Sequence, residues 1–104
     1  MNEVTNIEEV IKKEIEENAI ILYMKGSREI PQCGFSARVI EILNTLNIDY
    51  VTRNVLEDNE LREGIKLFSN WPTIPQLYIK GEFIGGCDIV MQLFDNGELK
   101  DLIQ

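Results

Sequence analysis

Apolar residues recur along this chain with two different periods, and each switch of period marks the edge of a short element. Ile7, Val10, Ile11 and Ile15 fall at i, i+3, i+4 and i+8 behind the capping box Thr5-Asn6-Ile7-Glu8. That pattern predicts an amphipathic helix running to about Asn18. Ala19 to Met24 is a continuous apolar run, too short for a helix and apolar on both faces, as a central strand with covered faces requires. The polar segment 26–33, with Gly26 and Pro31, reads as a loop, after which helical spacing resumes at Phe35, Val39, Ile40, Leu43 and Leu46. Ile48 to Arg53 predicts a second strand. Asp58 or Asn59 caps a third helix carrying Leu61, Ile65 and Phe68, which Trp71-Pro72-Thr73-Ile74-Pro75 breaks. Gln76 to Lys80 and Glu82 to Ile84 flank Gly81 as a tight hairpin. Beyond Gly85-Gly86 a helix starts near Cys87 or Asp88, with Ile89, Val90, Leu93 and Phe94 inward, and a last short turn holds Leu99, Leu102 and Ile103.

The predicted order is αβαβαββα. A parallel crossover must cover a sheet face, so a βαβ unit followed by a hairpin and a closing helix implies an α/β fold. Its expected form is a four-stranded mixed sheet with helices on both faces. No repeat, low-complexity tract or linker interrupts residues 1–104, which read as a single domain.

Composition narrows the chemistry. With 44% apolar and 27% charged residues a packed core is expected, and a net charge of -8 leaves no basic stripe for nucleic acid or anionic lipid. Histidine is absent, which removes Ser-His and Cys-His pairs and all His-containing metal sites. The start of the chain has neither a charged leader nor an apolar segment, so a soluble protein with no membrane partner is expected. Two distant cysteines, Cys33 and Cys87, are too few for a disulfide scaffold and fit a reducing compartment.

Cys33 falls where the loop enters the second helix. Unsatisfied N–H groups and the positive end of the helix dipole favour thiolate there, and Lys25 at the end of the first strand adds a cation. Gly34 allows another molecule to approach, and the polar Gln32 and Ser36 suggest an exposed segment. Ser36 stands where a dithiol oxidoreductase needs its second thiol, so any exchange at Cys33 is resolved by another thiol such as glutathione, or by Cys87.

The constellation Met24-Lys25-Gly26, Pro31-Gln32-Cys33-Gly34-Phe35-Ser36, Trp71-Pro72-Thr73-Ile74-Pro75-Gln76 and Gly85-Gly86-Cys87-Asp88 resembles the monothiol glutaredoxins. These are the Cys-Gly-Phe-Ser class of the thioredoxin-like fold, and the match runs through nearly the whole chain in order and spacing. One departure is Arg28-Glu29-Ile30, where the family often has a proline. The resemblance implies a glutathione groove. Lys25 and Arg62 pair with the glycyl carboxylate; the Ile74 backbone pairs with the cysteinyl peptide; Cys87 and Asp88 receive the γ-glutamyl end; Cys33, Gly34, Phe35, Thr73, Pro75 and Gly86 complete it. By the fold analogy the Ile74-Pro75 bond is cis. Gly85, Gly86 and the helix start offer a nest of N–H groups for a carboxylate, and Asp88 accepts from an ammonium. Trp71 either shields the groove or rests on the third helix.

Cys33 is also the expected metal ligand. A [2Fe-2S] cluster needs four ligands and each chain brings Cys33. The resemblance implies a homodimer in which two glutathione thiolates complete the set and the cluster passes to acceptor apoproteins. Cys33 plus Cys87 from each of two chains also reaches four. The alternatives are a glutathione-dependent thiol-disulfide oxidoreductase, weakly active at most, and a docking module for a BolA-like protein. A bacterial cytoplasm and an organelle matrix, after processing, both suit these functions.

Overall fold

The computed structural model describes residues 6–104. In order, α1 is Ile7–Glu17, β1 Ile20–Met24, α2 Gly34–Thr45, β2 Val51–Asn54, α3 Asn59–Ser69, β3 Gln76–Ile79, β4 Glu82–Gly85, α4 Cys87–Asp95 and α5 Glu98–Ile103. The sheet order is β2-β1-β3-β4. β1 runs parallel to β2 and antiparallel to β3, and β3 is antiparallel to β4, which is the expected mixed sheet.

All five residues of β1 are buried, and their alternation divides the core. Ile20, Leu22 and Met24 pack with Val39, Ile40 and Leu43 of α2, Val90 of α4 and Leu99 of α5. Ile21 and Tyr23 face the other way, onto Ile11 and Ile15 of α1 and Leu61 and Ile65 of α3. Each such side chain contributes about 1.5–3 kcal/mol on burial, so β1 fixes the sheet and both helix layers at once.

Local chemistry sets the boundaries. Asn6 caps α1, its side chain accepting from the Glu8 N–H at 2.8 Å; Thr5, the expected start of the capping box, lies outside the described residues. Asp58 caps α3 through the Leu61 N–H at 3.1 Å. The hairpin turns through Lys80 and Gly81, both at positive φ (52° and 83°), as a two-residue turn requires.

Three expectations need correction. β2 begins at Val51, not Ile48: Ile48 packs against the core from the connection, and the Tyr50 hydroxyl donates to Asn44 Oδ1 at 2.7 Å. Both residues belong to a loop tucked over the core. A short 3-10 turn, Val55–Glu57, then joins β2 to α3. The closing turn is a helix, α5, so the order is αβαβαββαα. In α2 the buried stripe begins at Ser36, which aligns with Val39, Ile40 and Leu43 at helical spacing, while Phe35 points outward and is 63% exposed.

Candidate functional site

The loop after β1 delivers Cys33 to the helix end through a tight set of main-chain bonds. Gly26, at φ 94°, opens the turn; Ser27 N–H donates to Ile30 O, and Gln32 N–H to Lys25 O. Arg28 ties the loop to the connection just ahead of β2. Its guanidinium lies 3.7 Å from the Tyr50 ring centre and donates to Tyr50 O at 3.2 Å.

Cys33 is the N-cap of α2, in extended conformation and partly open to solvent. Partial burial opposes ionisation of its sulfur. The N–H groups of Ser36 and Phe35, the Lys25 charge and the Ser36 hydroxyl together outweigh that and lower the thiol pKa. Ser36 was expected to be exposed and is fully buried, because its hydroxyl accepts from Lys25 N–H at 3.1 Å while serving the Cys33 sulfur. It therefore connects the end of β1 to the reactive atom, a role beyond the absence of a second thiol.

Cys87, the first residue of α4, is buried and its thiol lies 3.7 Å from the Met91 sulfur. Burial first, then Asp88 and Cys33, raise its pKa; Arg38 opposes them. The two thiols thus carry opposite pH signatures. Cys33 contributes stability above the ordinary thiol pKa that is lost as pH falls through its lowered value. The contribution of Cys87 is present below the ordinary pKa and lost as pH rises through its raised value.

A groove of about 480 Å³ opens beside Cys33. Lys25, Cys33, Phe35, Thr73, Ile74, Pro75, Gly86, Cys87 and Asp88 line it, so most of the expected residues converge. The Ile74-Pro75 bond is cis. Trp71 also lines the groove, its ring 5.8 Å from that of Phe83, so it both faces the groove and packs on the sheet. Gly86 sits against the Pro75 loop: a Cβ there would lie 3.2 Å from Pro75 O. Gly34 has no neighbour within 4 Å of where a Cβ would project and lines a second hollow with Cys33, Phe35, Arg38 and Met91.

Arg62 does not line the groove; Lys66, one turn along α3, does. Sequence reasoning missed Lys66, although its i+4 spacing from Arg62 puts both on one helix face. Lys66 is 3.7 Å from Glu63 and partly exposed.

A glutaredoxin family model matches residues 20–84, the span from β1 through β4. The chain belongs to the monothiol glutaredoxins. A probable monothiol glutaredoxin 2 of Rickettsia typhi is 52% identical over 94 residues, covering 90% of this chain and 85% of the relative. The mitochondrial monothiol glutaredoxin-5 of Lachancea kluyveri is 50% identical over 103 residues, 96% of this chain and 72% of its own. Among solved structures, reduced apo GrxS14 of poplar superposes with TM-score 0.82 at 44% identity, covering 93% of this chain and 89% of that one. A buckwheat glutaredoxin-glutathione complex shares the fold, with TM-score 0.83 at 22% identity, covering 93% and 86%. Among the described residues of this glutaredoxin no helix is long and apolar enough to cross a membrane.

Proposed function

We propose that this glutaredoxin, a single domain over its 104 residues, binds glutathione in the groove and carries a [2Fe-2S] cluster as cargo between two chains. The observation that carries the reading is one ionisable, accessible sulfur at the mouth of a peptide-sized groove, with Ser36 where a resolving thiol would stand. The donor set suits a shared cluster. Among the described residues no three His, Cys, Asp or Glu side chains gather into a metal site, and Cys87 holds its proton more tightly than an ordinary thiol. Four thiolates then come from two Cys33 and two glutathiones, and the cluster leaves to acceptor apoproteins by ligand exchange.

The proposed roles follow the groove's chemistry. Lys25 and Lys66, with Arg62 on the same helix face as Lys66, take the glycyl carboxylate. Main chain at Thr73, Ile74 and Pro75 pairs with the cysteinyl peptide. The N–H groups of Gly86 and Cys87 hold the γ-glutamyl carboxylate, and Asp88 accepts from its ammonium. The glutathione complex of the buckwheat relative supports a ligand of this class on the same fold. Gly34 and Phe35 border the second hollow and face the partner chain or a BolA-like protein in its place. The proposed setting is a reducing one, a bacterial cytoplasm or an organelle matrix, where Cys33 stays reduced.

Anaerobic reconstitution with ferrous iron, sulfide and glutathione tests this. Visible absorption and a sedimenting dimer are expected only when glutathione is present. A colourless monomer with all three components present overturns the carrier reading.

The lowered Cys33 pKa supports a second reading, deglutathionylation. The Cys33 thiolate attacks the glutathione sulfur of a mixed disulfide and releases the substrate as thiolate. A second glutathione thiolate then attacks the Cys33-glutathione disulfide, yielding glutathione disulfide and restoring Cys33. Brisk turnover in a glutathione reductase couple, with no cluster on reconstitution, selects this reading over the first.

A further inference from the structure

Gln76 opens β3 beneath the groove wall, does not line the groove, and is completely buried. Its Nε2 donates to Trp71 O at 3.1 Å and to Thr73 O at 3.2 Å, and its Oε1 accepts from the Tyr78 hydroxyl at 3.1 Å. Main-chain carbonyls only accept, so the amide can sit in one orientation alone. Burial pushes the Tyr78 hydroxyl up to about 12, and it remains a donor throughout the neutral range.

These bonds constrain a segment poor in donors. Pro72 and Pro75 have no N–H, and that of Trp71 is already engaged by Lys66 O and Ser69 Oγ. Thr73-Ile74 is a trans peptide, whose C=O and N–H point in opposite directions. With the Thr73 carbonyl turned down onto Gln76, the Ile74 N–H turns up, away from the core. The Ile74 side chain packs in the core with Tyr78 and the residue is only 5% exposed, so what it presents to the groove is main chain.

We propose that Gln76 is a positioning residue for peptide recognition: by holding the Trp71 and Thr73 carbonyls it fixes the Ile74 N–H as the donor that meets the cysteinyl portion of glutathione. The inference rests on the glutathione reading of the groove. Gln76 touches no ligand atom; it acts through the wall loop.

The test titrates S-methylglutathione, which can neither ionise at sulfur nor exchange, into 15N-labelled protein. In wild type the Ile74 amide resonance moves with ligand. Gln76→Leu weakens affinity by about 10-fold, the equivalent of ~1.4 kcal/mol, and the Ile74 response is lost. Gln76→Glu adds a readout that a merely structural role does not move. Its carboxylic acid returns one donor, so affinity weakens as pH rises through the ionisation of that group, over an interval where wild type is flat. Tyr78→Phe, which removes the anchor of Oε1, costs several-fold and serves if Gln76→Leu does not fold. Wild-type affinity and a wild-type Ile74 shift in the folded variants overturn the inference alone. Failure of wild type to bind S-methylglutathione overturns the glutathione reading and the inference together.

Discussion

Cys33→Ser is expected to abolish cluster formation on reconstitution and to lower glutathione exchange by more than ~10³-fold, whereas Cys87→Ser is expected to retain the cluster. The asymmetry comes from the environments of the two sulfurs. Cys33 is met by the Ser36 and Phe35 N–H groups, the Ser36 hydroxyl and the Lys25 charge, all of which favour the anion that binds iron or attacks a disulfide. A serine hydroxyl at that position keeps its proton at neutral pH and supplies neither function. Cys87 is buried beside Asp88 and held protonated, and its proposed contribution is its main-chain N–H, which serine preserves. Visible absorption after reconstitution and a coupled exchange assay check the pair. An absorbing, dimeric Cys33→Ser protein refutes the ligand assignment.

Gly26→Ala is expected to destabilise the fold by about 3 kcal/mol or more, a fall in Tm of at least ~12 °C, while Gly34→Ala changes stability by no more than ~0.5 kcal/mol. Gly26 has φ 94°, and a Cβ there would lie 2.5 Å from Gln32 N and 2.6 Å from Ile30 O. Both obstacles are backbone and cannot rotate aside. Relief would break the Gln32 N–H to Lys25 O bond and the Gly26 N–H to Asn54 bond, and so displace the turn that delivers Cys33. At Gly34 a methyl group meets nothing, and the residue is the first of α2, where alanine is acceptable. Thermal melts of the two variants check the contrast, and equal melting temperatures refute it.

Much of this arrangement was legible in the chain. Helical spacing and the all-apolar run at Ile20–Met24 located α1, α3 and the central strand because burial on two faces leaves no other pattern. Cys33 at a loop-to-helix junction pointed to a thiolate through helix-end electrostatics and the Lys25 charge, and the motif run pointed to the groove. Tertiary contacts hid the rest. Phe35 is apolar and faces outward, whereas Ser36 is polar and belongs to the core because two partners satisfy it; single-residue polarity assigns both to the wrong side. Lys66 and Arg62 share a helix face, and only the packing of α3 decides which cation reaches the groove. Gln76 resembles an ordinary first strand residue until the two carbonyls above it are seen.

The central claim is that each chain presents one accessible sulfur whose pKa is lowered. It is tested most directly by the pH profile of iodoacetamide alkylation, read separately at each cysteine by mass spectrometry of the reduced protein. Cys33 is predicted to react with a midpoint below the ordinary thiol range, moving upward in Lys25→Gln, while Cys87 reacts slowly with a midpoint above that range. A Cys33 that reacts no faster than Cys87, with a midpoint in or above the ordinary range, contradicts it.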